Sequence, residues 1–236
     1  MHADDLAATS TSSLAGTGEA REDHVRLRRH LARLARATLA TGGLLFLLGV
    51  ALHPARDGHS IATVGEVYGV THALLAYGLL LQATSLVSLG LLGGRRLGAS
   101  GVASILTASA GTLLWFGLIV MDGTRNPVTA LHSPDLVHTP ADLELGVAMI
   151  VLPALVCFPL GYMLFARMLA QSAARLPALL VGVGCVVYWV GGLAIFAVGP
   201  HSPVIQVLEV AGALPYGLGV ALGIRTLTED QRVPDD

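Results

Sequence analysis

Histidine and carboxylate side chains gather in three short stretches of this 236-residue chain. The first holds His53, Asp57, His59, Glu66 and His72. The second holds Asp122, His132, Asp135, His138, Asp142 and Glu144, and the third holds His201 and Glu209. Imidazole and carboxylate groups together ligate iron, copper and zinc, and they also pass protons.

His72 is the most informative of these residues. It sits inside an apolar run, where an ionisable group is costly unless it faces the protein interior and has a partner. His53, Asp122 and His201 close apolar runs at the same level, so four hairpin ends converge on one shallow pocket. Three readings compete for that pocket. In the first, His72 with His53 or His201 ligates a haem b axially. In the second, His53, His72 and His201 with Asp122 hold copper, iron or zinc. In the third, the histidines cap helix ends and bond loop carbonyls. Glu66, Asp122 and Glu209 are the candidate acids for catalysis. His59, His132 and His138 read as loop residues, and Asp57-Gly58-His59 reads as a turn. Tyr68 is placed to line the pocket.

The glutamates Glu66, Glu144 and Glu209 fall at predicted helix starts, where the macrodipole favours a carboxylate. A proton relay, or support for a histidine ligand, is the sharper role. Glu66 and His72 are six residues apart, about 240° around a helix, so they do not share a face.

The elements that must position these groups follow from composition. The chain is 53% apolar and 13% charged, with a mean hydropathy of +0.68. A soluble domain carries nearly twice that share of charge. Six apolar segments of spanning length are predicted, at about 34–53, 69–92, 100–122, 143–168, 176–199 and 204–224. They are expected to be helices, because backbone groups in lipid must bond within the segment. The expected fold class is an all-α, polytopic six-transmembrane-helix bundle. A weak Glu-Val-x-Gly echo at Glu66 and Glu209 suggests three repeated helical hairpins.

All 14 basic residues are arginine, and 12 of them lie in the segments on the other side: the N-terminal run, the second-to-third and fourth-to-fifth connections, and the C-terminal tail. Only Arg56 and Arg125 fall on the histidine side. The positive-inside rule then puts both termini in the cytoplasm and the histidines outside. The arginine-only, Ala/Gly-rich composition suggests a bacterial inner membrane. The expected organisation is a disordered tail over 1–24, an amphipathic interfacial lead-in over 25–33, the membrane domain over 34–225 and a cytoplasmic tail over 226–236.

Several classes are excluded or unsupported. A net charge of -2 argues against a nucleic-acid partner. Cys157 and Cys185 lie in apolar runs and read as small hydrophobes. No phosphate-binding glycine loop and no HExxH motif is present. Pro153, Pro159 and Pro215 predict kinks. The expected partners are the lipid bilayer and either a membrane-complex partner or a second copy. The leading function is a redox or metal-handling membrane protein. Alternatives are a small-solute or proton-coupled transporter, a non-catalytic subunit, and an intramembrane enzyme acting on a lipid or isoprenoid. The inner halves of the spans show no polar pathway, which weighs against transport.

Overall fold

A computed structural model describes the backbone of residues 4–139, 145–172 and 174–229, and the side chains of residues 22–92, 97–139, 148–172 and 174–227. Among the described residues there is no strand. Six helical stretches are long and apolar enough to cross a bilayer: Glu22–Ala51, Gly58–Leu92, Leu97–His132, Ala148–Gln171, Arg175–Val198 and Pro203–Leu227. They belong to α1 (Asp4–Ala51), α2 (Gly58–Leu92), α3 (Leu97–His132), α4 (Leu145–Gln171), α5 (Arg175–Val198) and α6 (Pro203–Glu229).

The stretch Gly58–His132 is helical over 75 residues, which as one rod would reach roughly 110 Å. It doubles back instead, since His72 and Asp122 touch. Gly98 has φ +62°, a backbone conformation that glycine adopts without strain. It lies in the first turn of α3, at the arginine end of the bundle.

Three helix boundaries differ from those expected. The first helix begins at Asp4, ahead of the apolar run expected from about Leu34. No proline interrupts that segment. The second helix begins at Gly58, because the Asp57 carboxylate accepts the Ser60 N–H at 2.9 Å and caps it. The third helix runs on past Pro127 to His132, so Asp122 lies inside it and not at its end.

Consecutive helices pair through glycine. A Cβ added at Gly42 on α1 would stand 2.8 Å from the Gly78 carbonyl on α2. On α5 and α6, Gly184 and Gly212 each abut the other helix's backbone so closely that any side chain would collide. Small residues allow such approach, and dispersion then replaces the hydrophobic drive that lipid removes. The centre is aromatic. Phe46, Phe158, Tyr162, Tyr188 and Tyr216 pack with ring centroids 4.8–6.2 Å apart. Outward faces carry Leu91, Leu106, Leu152, Leu179 and Val207, exposed apolar surface of the kind that a bilayer would solvate.

Buried polar pairs also lie deeper in the bundle. Tyr216 donates to Gln82 Oε1 at 2.5 Å. The Thr112 hydroxyl donates to the Ala108 carbonyl, so in its 2.8 Å contact with Tyr162 the tyrosine is the donor. Both tyrosine protons are thus already committed.

Candidate functional site

The histidine end of the bundle contains a buried polar cluster built in two layers. The inner layer is aromatic. His72 stacks on Tyr68, one turn earlier on α2, with ring centroids 4.1 Å apart. His53, two residues past α1, meets both rings edge-on, 4.8 Å from His72 and 5.1 Å from Tyr68. These three side chains are shut off from solvent.

Asp122 on α3 joins that layer to the second. Its Oδ2 accepts from the Tyr68 hydroxyl at 2.9 Å and lies 3.1 Å from His72 Nε2. Its Oδ1 accepts from Asn126 Nδ2 at 2.5 Å and lies 3.4 Å from His138 Nε2. Asn126 follows by one helical turn, so both side chains share a face. His138 arrives from the connection after α3, in a left-handed conformation with φ +57°. There it contacts Asn126 at 2.9 Å.

The tautomers follow from the backbone. The Nδ1 atoms of His53, His72 and His138 lie 2.7, 2.9 and 2.7 Å from the carbonyls of Pro54, Tyr68 and Arg56. A carbonyl only accepts, so each Nδ1 carries a hydrogen. Each Nε2 is therefore an acceptor in the neutral ring. A hydrogen bond between His72 Nε2 and Asp122 needs one more proton, held either as an imidazolium beside a carboxylate or as an imidazole beside a carboxylic acid. In that bond the two side chains share one proton.

Arg56 and Glu209 complete the second layer. Arg56 lies in the α1–α2 connection and ion-pairs with Glu209 on α6, and both side chains are largely buried. Burial opposes the charge on Arg56, but the Glu209 carboxylate outweighs it and raises the guanidinium pKa. At His138 burial likewise opposes charge, but the Asp122 carboxylate wins and holds the imidazole above its usual value. His53 goes the other way. Burial, reinforced by Arg56 and His72, pushes it down to about 2, so it stays neutral. Its Nε2 is buried with no hydrogen-bond partner.

Asp122, Asn126, His138, Arg56 and Glu209 form the polar end of a cavity of about 150 Å³. The rest of the wall is apolar and aromatic, led by Trp115, Leu118, Ile119, Leu155, Tyr188 and Phe196. Tyr68, His53 and His72 do not reach the cavity; they stand behind Asp122.

The expected site residues are therefore divided. His53, His72 and Asp122 come together, and Glu209 joins them across the cavity. His201 does not: its side chain is 75% exposed and lies 3.4 Å from Asp57. Glu66 is two turns inside α2 and exposed, because the helix starts at Gly58. It gains nothing from the helix terminus and does not reach the cluster. Glu144 lies outside the described residues. His59 pairs with Asp135 at the surface, and His132 is exposed. His138, read as a loop residue, is instead part of the cluster, as are Arg56 and Asn126.

Of the residues expected to pair around a haem, His53 and His72 come together and His201 stands apart. The rings of His53 and His72 are in contact, leaving no gap for a porphyrin, and His201 points elsewhere. A cavity of 150 Å³ takes one benzene-sized ring, not a macrocycle. Among the described residues, no group of three or more His, Cys, Asp or Glu side chains is placed to hold a metal ion.

No family model, curated protein or solved structure matches this chain.

Proposed function

We propose that this is a multi-pass protein of the bacterial inner membrane, with both termini cytoplasmic, whose outward-facing cavity binds a small lipid-soluble molecule and exchanges a proton with its polar end. The observation that carries this reading is the position of Asp122. It forms part of the cavity wall while His72 and Tyr68 hold it from behind. A carboxylate poised in this way can give or take a proton at the ligand, and its partner imidazole buffers the change. The apolar wall supplies affinity for the body of the ligand, and the few polar groups orient it. The arginine bias supports the orientation. The glycine-paired couples α1–α2 and α5–α6 are consistent with a repeated hairpin.

Two measurements test this reading. Mass spectrometry of an organic extract of the purified protein should reveal a stoichiometric apolar molecule with a polar end. Binding of that molecule in buffers of different ionisation enthalpy should show proton transfer that Asp122→Asn abolishes. The competing reading, a redox or metal-handling centre with haem or copper, iron or zinc, keeps one supporting feature in the partnerless Nε2 of His53. A Soret band, or stoichiometric metal lost in His53→Ala and His72→Ala, would replace our proposal.

A further inference from the structure

The opposite end of the bundle carries a second feature, which stands independently of the histidine-side cavity. A groove runs there between α1 and α6. Arg36 and Arg225 line it, one from each helix, together with Leu39, Ala40, Ala221 and Ile224. The arginines lie nearer the end of the bundle than the other four, since Arg36 precedes Leu39 on α1 and Arg225 follows Ile224 on α6. The groove is therefore cationic at its mouth and apolar below. Ala40 and Ala221 are exposed, and their small side chains leave the recess open.

Arginines at a membrane boundary are ordinary. Three observations set this pair apart. The two guanidinium groups come from different helices and meet at one recess. The cationic face also continues along α1: Arg29, Arg33 and Arg36 are spaced by four and three residues, so they share one side of the helix, and all are exposed. Residues 26–36 hold five arginines and no carboxylate. On α6 the next charge, Glu229, comes a turn farther from the apolar span. Finally, the depth is right. Arg225 lies 22 residues beyond Pro203, about 33 Å of helix, close to the ~30 Å thickness of a hydrocarbon core. A helix anchored at its other end puts Arg225 at the level of lipid phosphates.

We propose that this groove seats an anionic phospholipid, with its phosphate between Arg36 and Arg225 and an acyl chain along Leu39, Ala40, Ala221 and Ile224. The fork of N–H donors on a guanidinium matches phosphate oxygens. A zwitterionic headgroup would bring its own cation beside Arg29 and Arg33, so net negative charge is selected.

The experiment uses purified full-length protein, stripped of lipid in a neutral detergent. Phosphatidylglycerol or phosphatidylcholine with identical chains is added, and native mass spectrometry reads the bound lipid. One phosphatidylglycerol should remain bound per protein, more tightly than phosphatidylcholine. Arg36→Gln and Arg225→Gln should each weaken it roughly fivefold, and together about 25-fold. Arg167, exposed on α4 at the same end but outside the groove, is the control, and Arg167→Gln should change nothing. Ala221→Phe fills the recess without removing a charge and should also weaken phosphatidylglycerol, which keeps the test decisive if an arginine variant does not fold. Inorganic phosphate, which has no chain, should not displace the lipid.

Equal binding of the two lipids, or an equal loss in Arg167→Gln, would reduce the arginines to general surface charge and overturn the proposal. Displacement by inorganic phosphate would make the groove a soluble-anion site and overturn it too. Unchanged thermal unfolding of the lipid-free variants confirms that they are folded.

Discussion

His72 Nε2 and Asp122 Oδ2 lie 3.1 Å apart although fifty residues separate them in the chain. The contact bridges the two arms of the α2–α3 hairpin. It is possible only because residue 123 is glycine: a Cβ at Gly123 would overlap the His72 side chain. The same contact fixes the side of Asp122 that faces the cavity.

Asp122 satisfies several donors at once, so its removal should be costly. Asp122→Ala leaves the Tyr68 hydroxyl without its acceptor, a loss worth about 1–3 kcal/mol when buried, and takes from the Asn126 amide one of its acceptors. Asp122→Asn restores an acceptor and should recover part of that loss while no longer sharing the proton. Thermal unfolding in detergent should rank the variants wild type, Asn, then Ala. Equal midpoints for wild type and Ala would show that the cluster does not support the fold.

Arg56 and Glu209 should behave as one unit. Breaking a buried ion pair from one side leaves an uncompensated charge and costs about 3–5 kcal/mol. Glu209→Ala and Arg56→Ala should each destabilise strongly, and the double variant should lose far less than their sum. Additive losses in a double-mutant cycle would mean that the pair is not formed.

Stability should fall on both sides of about neutral pH, for two separate reasons. His138 has a raised pKa in the folded state. Its contribution is fully present below the unfolded value of 6.5 and is lost as pH rises through the higher folded value. His53 is pushed down to about 2, so the unfolded chain takes up a proton below 6.5 that the folded chain refuses. That contribution is full above 6.5 and falls by about 1.4 kcal/mol for each pH unit below it. Unfolding midpoints between pH 5 and 9 should show the alkaline loss flattened in His138→Gln and the acid loss flattened in His53→Phe. If either variant retains the wild-type slope on its own limb, the assignment to that residue is wrong.

Adjacent glycines on α1 should differ sharply. Gly42→Val collides with the Gly78 carbonyl and Leu81, whereas an added Cβ at Gly43 meets nothing within 4 Å. Gly42→Val should lower the unfolding midpoint severely or prevent folding. Gly43→Val should stay within about 0.5 kcal/mol of wild type. Similar behaviour of the two would contradict the α1–α2 packing.

The chain's composition and its runs of apolar residues were enough to read the six helices, since length and hydropathy alone decide whether a segment can cross a bilayer. They also brought His53, His72 and Asp122 to one level, because depth follows from position along a span. Facing was a different matter. Glu66 and Glu209 look alike in sequence, yet one is exposed and the other buried against Arg56. Lipid-facing and core-facing surfaces are both apolar, so hydrophobic periodicity does not mark the inward side of a helix. Arg56 and His138 were hidden for another reason: they sit in connections, and their contacts depend on how those connections fold back over the bundle. Asn126 was missed because α3 continues past Pro127 instead of ending at Asp122. Tertiary packing alone therefore turned three residues at a common depth into a cluster with Asp122 at a cavity wall, His72 behind it and Arg56 paired across from it with Glu209.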